Sequence, residues 1–243
     1  MSNIPRIIHY CWFGKNQKSQ LIEKCIKSWS ENTNYKIQEW NEDNFDVNKH
    51  NFTRAAYSLK KWAFVSDYAR LEVLYQYGGI YLDTDMELFK SLDCFLDNKM
   101  FLGFMYDCNL SCGIIGVEPK NRVIKELLEI YDKLNVTNSP NNDLFTKYFL
   151  DKGLKLNNRY QRIDEIVFYP KEYFNYKGFN KKYNYAIHHF EDSWKEHNIQ
   201  RDRLKKVLKV CIGEVLYGKL SNYHAVKKSP FYSIYRNHKK ESN

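Results

Sequence analysis

Between Ile4 and Gly14 the chain reads IPRIIHYCWFG, an almost unbroken β-prone run of the kind found in a strand buried on both faces. Leu21, Ile22, Cys25, Ile26 and Trp29 then recur at helical spacing behind Ser19, which can serve as N-cap. YKIQEW (35–40) predicts a second strand. Residues 60–77 read as a helix with Phe64, Tyr68, Leu71 and Tyr75 on one face. Gly78 and Gly79 end it, because glycine accepts the left-handed backbone that other residues resist. Strands are predicted over IYLD (80–83), 101–106, 112–118, 166–170 and 185–190, with helices over 123–134 and 143–150. Strands alternating with helices indicate an α/β fold with a mostly parallel sheet. In such sheets ligands gather beyond the carboxyl ends of the strands, where Asp83 and Asp85 fall.

Composition narrows this picture. With 43% hydrophobic residues in 243 the chain is globular, and no run approaches the roughly 20 apolar residues of a spanning helix. Met1 leads almost directly into the first strand without the pattern of a signal peptide, so a cytoplasmic protein is expected. Six scattered cysteines without a C-x-x-C pair are read as reduced thiols, and zinc is not expected. The net charge of +9 calls for an acidic partner. Much of the excess lies late: from Lys205 onward, nine Lys and Arg residues face only Glu214 and Glu241. The reading is a domain over 1–198 and a basic, amphipathic helical extension over 199–243. The extension carries Leu204, Val207, Leu208, Cys211, Ile212, Val215 and Leu216 on one stripe. Most such helices pack on their own domain; the basic excess makes adhesion to an anionic membrane face the second reading.

Four short stretches carry candidate chemistry. Asp83-Thr84-Asp85 is by itself a common solvated turn, but at a strand's carboxyl end it offers hard oxygen ligands suited to Mg²⁺ or Mn²⁺. A cation also removes the repulsion between the two carboxylates. Asp67 and Arg70 in SDYAR stand three apart on a helix, either as a surface ion pair or as an acceptor and a donor fork for sugar hydroxyls. Trp12 at the end of the first strand is either core or a platform for a nucleobase. IHHFEDSW (187–194) gathers His188, His189, Ser193 and Trp194, read either as one packed and one solvated histidine or as a further metal or diphosphate contact. Neighbouring strand histidines point to opposite faces, so at most one of the pair meets a shared ligand. The aromatic and basic stretch 173–185 allows a nucleic-acid surface, but no nucleic-acid-binding motif accompanies it.

In this order, IPRIIHYCWFG, KCIKSW, YKIQEWNEDNFD, AFVSDYARLEVLYQYGGIYLDTD and AIHHFEDSW resemble the Asp-x-Asp sugar-binding glycosyltransferases. That group includes capsular-polysaccharide and lipopolysaccharide sugar transferases and yeast initiation-type mannosyltransferases, and is distantly similar to clostridial toxin glucosyltransferase domains. The likeness spans about residues 4 to 195. It implies the A-type, Rossmann-like nucleotide-sugar fold and a divalent cation, commonly Mn²⁺. By resemblance Asp85 is the direct metal ligand, and Asp83 contacts ribose and the metal shell. Asp67 and Arg70 hold the donor sugar, Trp12 stacks on the base, and Tyr81 makes a nucleotide-side contact. The HHFEDSW segment closes over the diphosphate with a further metal ligand, His188 favoured over His189, and with Ser193 and Trp194 as companions. NLSCGIIG (109–116) departs from the pattern at Cys112, leaving Asn109 and Ser111 as the obvious donors to the sugar there.

The expected function is therefore metal-dependent transfer of a hexose, with retention implied by the resemblance, from a UDP- or GDP-sugar to a bacterial surface glycan or polyprenyl-diphosphate-linked acceptor. The expected location is cytoplasmic, peripheral on the inner membrane face through the basic C-terminus, with no nucleic acid partner. Two rivals are a basic binding protein without transferase activity and a nucleotide-sugar hydrolase.

Overall fold

The computed structural model describes residues 2–136, 141–191 and 207–241. Five strands of a seven-stranded sheet run one way and two run against them, in the order β2-β1-β3-β6-β5-β8-β7. Strand β1 (Ile7–Cys11) lies between β2 (Lys36–Trp40) and β3 (Gly79–Leu82), parallel to both. Strand β6 (Asn109–Val117) is inserted antiparallel between β3 and β5 (Met100–Tyr106). Strand β8 (Ile166–Tyr169) pairs parallel with β5, and β7 (Gln161–Ile163) closes the far edge antiparallel. The sheet is thus largely parallel, as the alternation of elements predicts, with a reversal at β6 that a hairpin from β5 makes.

Alternation along the strands divides the core between two faces. On one face helices α3 (Trp62–Tyr77), α4 (Arg122–Tyr131) and α5 (Asn141–Asp151) bury Leu71, Leu74, Leu127, Phe145 and Phe149 against Leu102, Ile115 and Val117. On the other, helix α1 (Gln20–Asn32) and the segments carrying Phe95 and Phe174 cover Ile8, Ile80, Leu82, Phe101 and Ile114. Ser19 does cap α1, its hydroxyl accepting from the Ile22 N–H. A short helix α2 (Asn51–Ser58) precedes α3. Helix α3 is buried on more sides than a single apolar stripe implies: Val65, Tyr68, Ala69, Arg70, Leu71, Val73 and Leu74 are all inaccessible. A charged residue on so buried a helix must find partners inside.

The glycine pair does what the sequence requires of it. Gly78 has φ +62 and its N–H donates to the Leu74 carbonyl, ending α3. Gly79 has φ +99, and a Cβ there would lie 2.7 Å from the Ile7 carbonyl oxygen. His9 pins this turn: its Nε2–H donates to Gly78 O at 2.9 Å while the Trp40 indole N–H donates to its Nδ1 at 3.1 Å. Burial pushes the His9 pKa down to about 4, so the ring stays neutral in this role.

The stretch 185–190, read from sequence as a late strand of the main sheet, is placed elsewhere. Strand β9 (Ala186–His188) is three residues long and, among the described residues, pairs with β4 (Met86–Leu88) alone, antiparallel, in a separate two-stranded ribbon. β4 begins directly after Asp85, so the register Met86↔His188 brings the end of the chain's Asp-x-Asp to the histidine. The C-terminal helices α6 (Glu214–Lys228) and α7 (Tyr232–Glu241) lie against the body. Gly218 of α6 packs on Tyr176, and the Asn222 amide exchanges hydrogen bonds with Asp107. His238 of α7 accepts from the Leu156 N–H at 2.9 Å. All six cysteines are free thiols.

Candidate functional site

Beyond the carboxyl ends of β1 and β3 opens a cleft of about 640 Å³, lined by the aromatic Trp12, Phe13, Trp62 and Phe64 and by the polar Asp83, Asp85, His188 and Glu191. Asp67 and Arg70 line it too. Its aromatic lining matches a flat ring; its charged lining matches a polyanion with its cation.

In the charged lining, one ligand atom from each of Asp83, Asp85 and His188 lies within 4.8 Å of the others. Asp83 stands at the end of β3, Asp85 two residues on before β4, and His188 at the end of β9 opposite Met86. His188 Nε2 is 3.1 Å from Asp85 Oδ1, and Asp85 Oδ2 accepts from the Glu191 N–H at 2.8 Å. Burial, which works to raise the Asp85 pKa, is outweighed by His188 and by that backbone donor, and the carboxyl is held below its ordinary value. The donor set suits a hard divalent ion: two carboxylates and one imidazole, with 3.1 Å between two ligand atoms, near the about 3 Å edge of an octahedron with bonds close to 2.1 Å. Gly113 of β6 leaves the room for this cluster, since a Cβ there would meet Asp83 Oδ2 at 3.0 Å and His188 Cε1 at 3.2 Å. The residues therefore fit such an ion.

Beside the cluster, Arg70 is 6% exposed and spends its guanidinium on four acceptors. It donates to Asp67 Oδ1 at 2.8 Å, the Cys112 carbonyl at 2.8 Å and the Ser66 carbonyl at 3.2 Å, and stands 3.4 Å from Asp83 Oδ1. Its plane lies 4.5 Å from the Tyr81 ring. The pair Asp67–Arg70 is thus no surface ion pair; it is the buried floor of the cleft. Burial pushes the Asp67 carboxyl up to about 6 against the pull of Arg70. Asn141 at the start of α5 donates to Asp67 Oδ1 at 3.3 Å.

Trp12 lines the cleft, its indole N–H donating to the Asn16 carbonyl at 2.7 Å and the Lys18 ammonium 5.3 Å from its ring. Trp62 packs so closely on Gly14 that a Cβ there would lie 2.6 Å from the indole nitrogen.

Four expectations are corrected. His189 is not at the cation cluster: it lies across β9 from His188, with Nε2 2.8 Å from Glu87 Oε2. Tyr81 lines the cleft but is 2% exposed, and its hydroxyl, expected on the nucleotide side, donates to Asp83 Oδ1 at 3.1 Å. Ser111 is fully buried and donates to Asn175 Oδ1 at 3.1 Å, turned from the cleft. Asn109 is also buried, at the β5–β6 turn and away from the cleft lining. Ser193 and Trp194 lie outside the described residues.

Sequence reasoning missed Asn142, which holds the Cys112 N–H at 2.8 Å, and Phe190, whose ring stacks on His188 at 4.3 Å between centroids. It also missed Glu191, which receives the Ser19 hydroxyl on Oε2 at 2.9 Å and so bridges the cleft mouth to α1. Ser19 was legible only as a helix cap and Glu191 only as part of the segment expected over the diphosphate, because nothing local says that they meet.

Residues 16–102 match a family described as the glycosyltransferase sugar-binding region containing DXD motif. Over 225 residues the chain is 30% identical to an uncharacterised glycosyltransferase of Acanthamoeba polyphaga mimivirus, covering 80% of this chain and 85% of that one. Over 168 residues it is 27% identical to inositol phosphoceramide mannosyltransferase 1 of Schizosaccharomyces pombe, covering 63% of this chain and 50% of that one. Among solved structures, the PaToxG glycosyltransferase aligns with a TM-score of 0.48 at 19% identity, over 61% of this chain and 68% of that one. A glycosyltransferase involved in the glycosylation of the major capsid of PBCV-1 aligns with a TM-score of 0.45 at 14% identity, over 82% and 98%.

Proposed function

The chain belongs to the glycosyltransferases whose sugar-binding region carries a DXD motif, and from that premise we propose a metal-dependent, retaining hexosyltransferase that uses a nucleotide diphosphate sugar. The observation that carries this reading is the convergence of Asp83, Asp85 and His188 in the cleft that Asp67 and Arg70 floor. In it Asp85 and His188 ligate Mn²⁺ or Mg²⁺, and Asp83 contributes to the ion and its shell. When bound, the ion neutralises charge that builds on the departing diphosphate, a contribution of several kcal/mol. Asp67 offers the sugar an acceptor and Arg70 keeps that carboxylate ionised and in place, so that the anomeric carbon is presented in one orientation. Trp12 supplies the face on which the base stacks. In a retaining transfer the departing phosphate can itself take the acceptor's proton, so no side chain is assigned as base. The acceptor is a glycan or a polyprenyl-diphosphate-linked oligosaccharide of a bacterial surface polymer.

The test is a screen of UDP- and GDP-sugars for nucleotide release, with and without Mn²⁺ and acceptor. The expected result is cation-dependent release from one donor, with the sugar recovered on acceptor. Free sugar released regardless of acceptor would make the protein a nucleotide-sugar hydrolase, and salt-sensitive polynucleotide binding without turnover would leave only the binding-protein reading.

In this reading residues 1–198 form the catalytic domain, and 199–243 bring it to an anionic membrane surface on the cytoplasmic side. Supporting this, Leu216, Leu220 and Tyr223 follow helical spacing on the solvent side of α6 and are about half exposed (49, 53 and 53%) beside Lys219, Lys227 and Lys228. Among the described residues no helix is long and apolar enough to cross a membrane. On its body side α6 meets Tyr176 at Gly218, and Tyr176 in turn stands 5.3 Å from the Phe190 ring beside the site. The parent is expected to co-sediment with phosphatidylglycerol vesicles, and a Leu216→Glu/Leu220→Glu variant to stay in solution with unchanged turnover of a soluble acceptor. Equal sedimentation of both would refute this face as the contact.

A further inference from the structure

We propose that Asn175, to which the sequence assigned no role of its own, is a positioning residue that holds His188 in the tautomer able to ligate the cation. The inference rests on the reading of Asp83, Asp85 and His188 as the cation site. Asn175 is fully buried in the loop after β8, and its side chain joins β5, β6 and β9. Its Nδ2 donates to the Phe104 carbonyl at 2.9 Å. That bond fixes which way the amide faces, because the reverse orientation would set Oδ1 against a carbonyl oxygen. Asn175 Oδ1 is therefore the atom that meets Ser111 Oγ at 3.1 Å and His188 Nδ1 at 3.2 Å.

An amide oxygen only accepts, so the proton on His188 must sit on Nδ1. Nε2 is then the nitrogen left to present a lone pair, and it is the one 3.1 Å from Asp85 Oδ1. With no cation present, Nε2 carries a second proton and donates to Asp85 Oδ1; a bound cation takes the place of that proton, while the Nδ1–H still donates to Asn175. The backbone reinforces the placement: the His188 N–H donates to the Asn175 carbonyl at 3.3 Å, and Phe190 stacks on the ring. Ser111 belongs to the same chain of bonds. Its hydroxyl accepts from the Gly113 N–H at 3.2 Å and passes its own proton to Asn175. The residue whose sequence position suggested a sugar contact instead ties the histidine's support to the strand position that makes room for the ion. Groups that orient a ligating histidine in this way typically change metal affinity 10- to 100-fold when removed.

Two substitutions separate this role from a merely structural one. Asn175→Leu removes both the donor to Phe104 and the acceptor for His188. Asn175→Asp loses the donor but keeps the acceptor. Titrating the full-length protein with Mn²⁺ alone by calorimetry, the dissociation constant is expected to rise roughly 10- to 100-fold in Asn175→Leu and to stay within about threefold of the parent in Asn175→Asp. Thermal melting of both variants reports what the Phe104 bond contributes. If Asn175→Leu bound Mn²⁺ like the parent while Asp85→Ala did not, the positioning role would be overturned and the cation site would stand. A parent that bound no Mn²⁺ would overturn the site and this inference together. Should Asn175→Leu not fold, Asn175→Asp decides alone: a loss of affinity as deep as that of Asp85→Ala refutes the proposal, and retention supports it.

Discussion

Asp85→Ala is expected to lower cation-dependent transfer by on the order of 10³-fold or more while leaving the melting temperature within a few degrees of the parent. The size follows from the chemistry the ion supplies. Several kcal/mol of stabilisation for the leaving diphosphate, at about 1.4 kcal/mol per tenfold in rate, amounts to roughly three decades. The small effect on folding follows from position. Asp85 is buried beside a second carboxylate, its Oδ1 and Oδ2 partnered by His188 and the Glu191 N–H. Its removal relieves repulsion from Asp83 while exposing those two donors to solvent at the cleft mouth. The measurement is initial rate against Mn²⁺ concentration, with calorimetry of Mn²⁺ binding beside it. Turnover at the parent's rate would remove the ion site from the mechanism.

Arg70→Met is expected to cost roughly 3–5 kcal/mol of stability and to abolish detectable donor binding. The guanidinium is shared among Asp67, Asp83 and the carbonyls of Cys112 and Ser66 inside the domain. Without it two carboxylates lose their counter-charge, and Asp67, held near 6 even beside Arg70, takes up a proton at neutral pH. Arg70→Lys should rescue little, because a point charge cannot reach four acceptors that a planar fork spans. The added substitution Asp67→Asn should return part of the lost stability but none of the donor affinity, since one buried charge then needs no partner. Denaturant midpoints of the single and double variants give the coupling directly. A midpoint for Arg70→Met within about 0.5 kcal/mol of the parent would contradict the buried network.

The elements near the Asp-x-Asp were legible because local chemistry fixes them. Gly78 and Gly79 have to stop α3, the apolar run after them has to be a strand, and the carboxylates then fall at its end. What sequence could not supply is which distant segment meets which. The period-two rule separated His188 from His189, and the ribbon of β4 and β9 supplies the partner that decides between them. The nucleotide-side role of Tyr81 came from the resemblance alone; the 3.1 Å bond to Asp83 shows where its hydroxyl is engaged. Ser111 was misplaced because the strand read from sequence as starting at 112 begins at Asn109, which carries Ser111 inside the sheet. Asn142 and Asn175 left no signal of their own, since nothing local says that Asn142 meets Cys112, 30 residues away, or that Asn175 meets Phe104, Ser111 and His188.

The ribbon of β4 and β9 has a thermodynamic consequence. Its rung Met86↔His188 joins segments separated by about a hundred residues, a closure whose chain entropy alone is on the order of 4 kcal/mol. An ion held by Asp85 on one strand and His188 on the other spans that same rung. By linkage, whatever free energy the ion gains on binding it returns to the joint between the two ends of the domain. The cation is then a clasp as well as a reagent, and the chain acquires its chemistry only after its last strand has found its place.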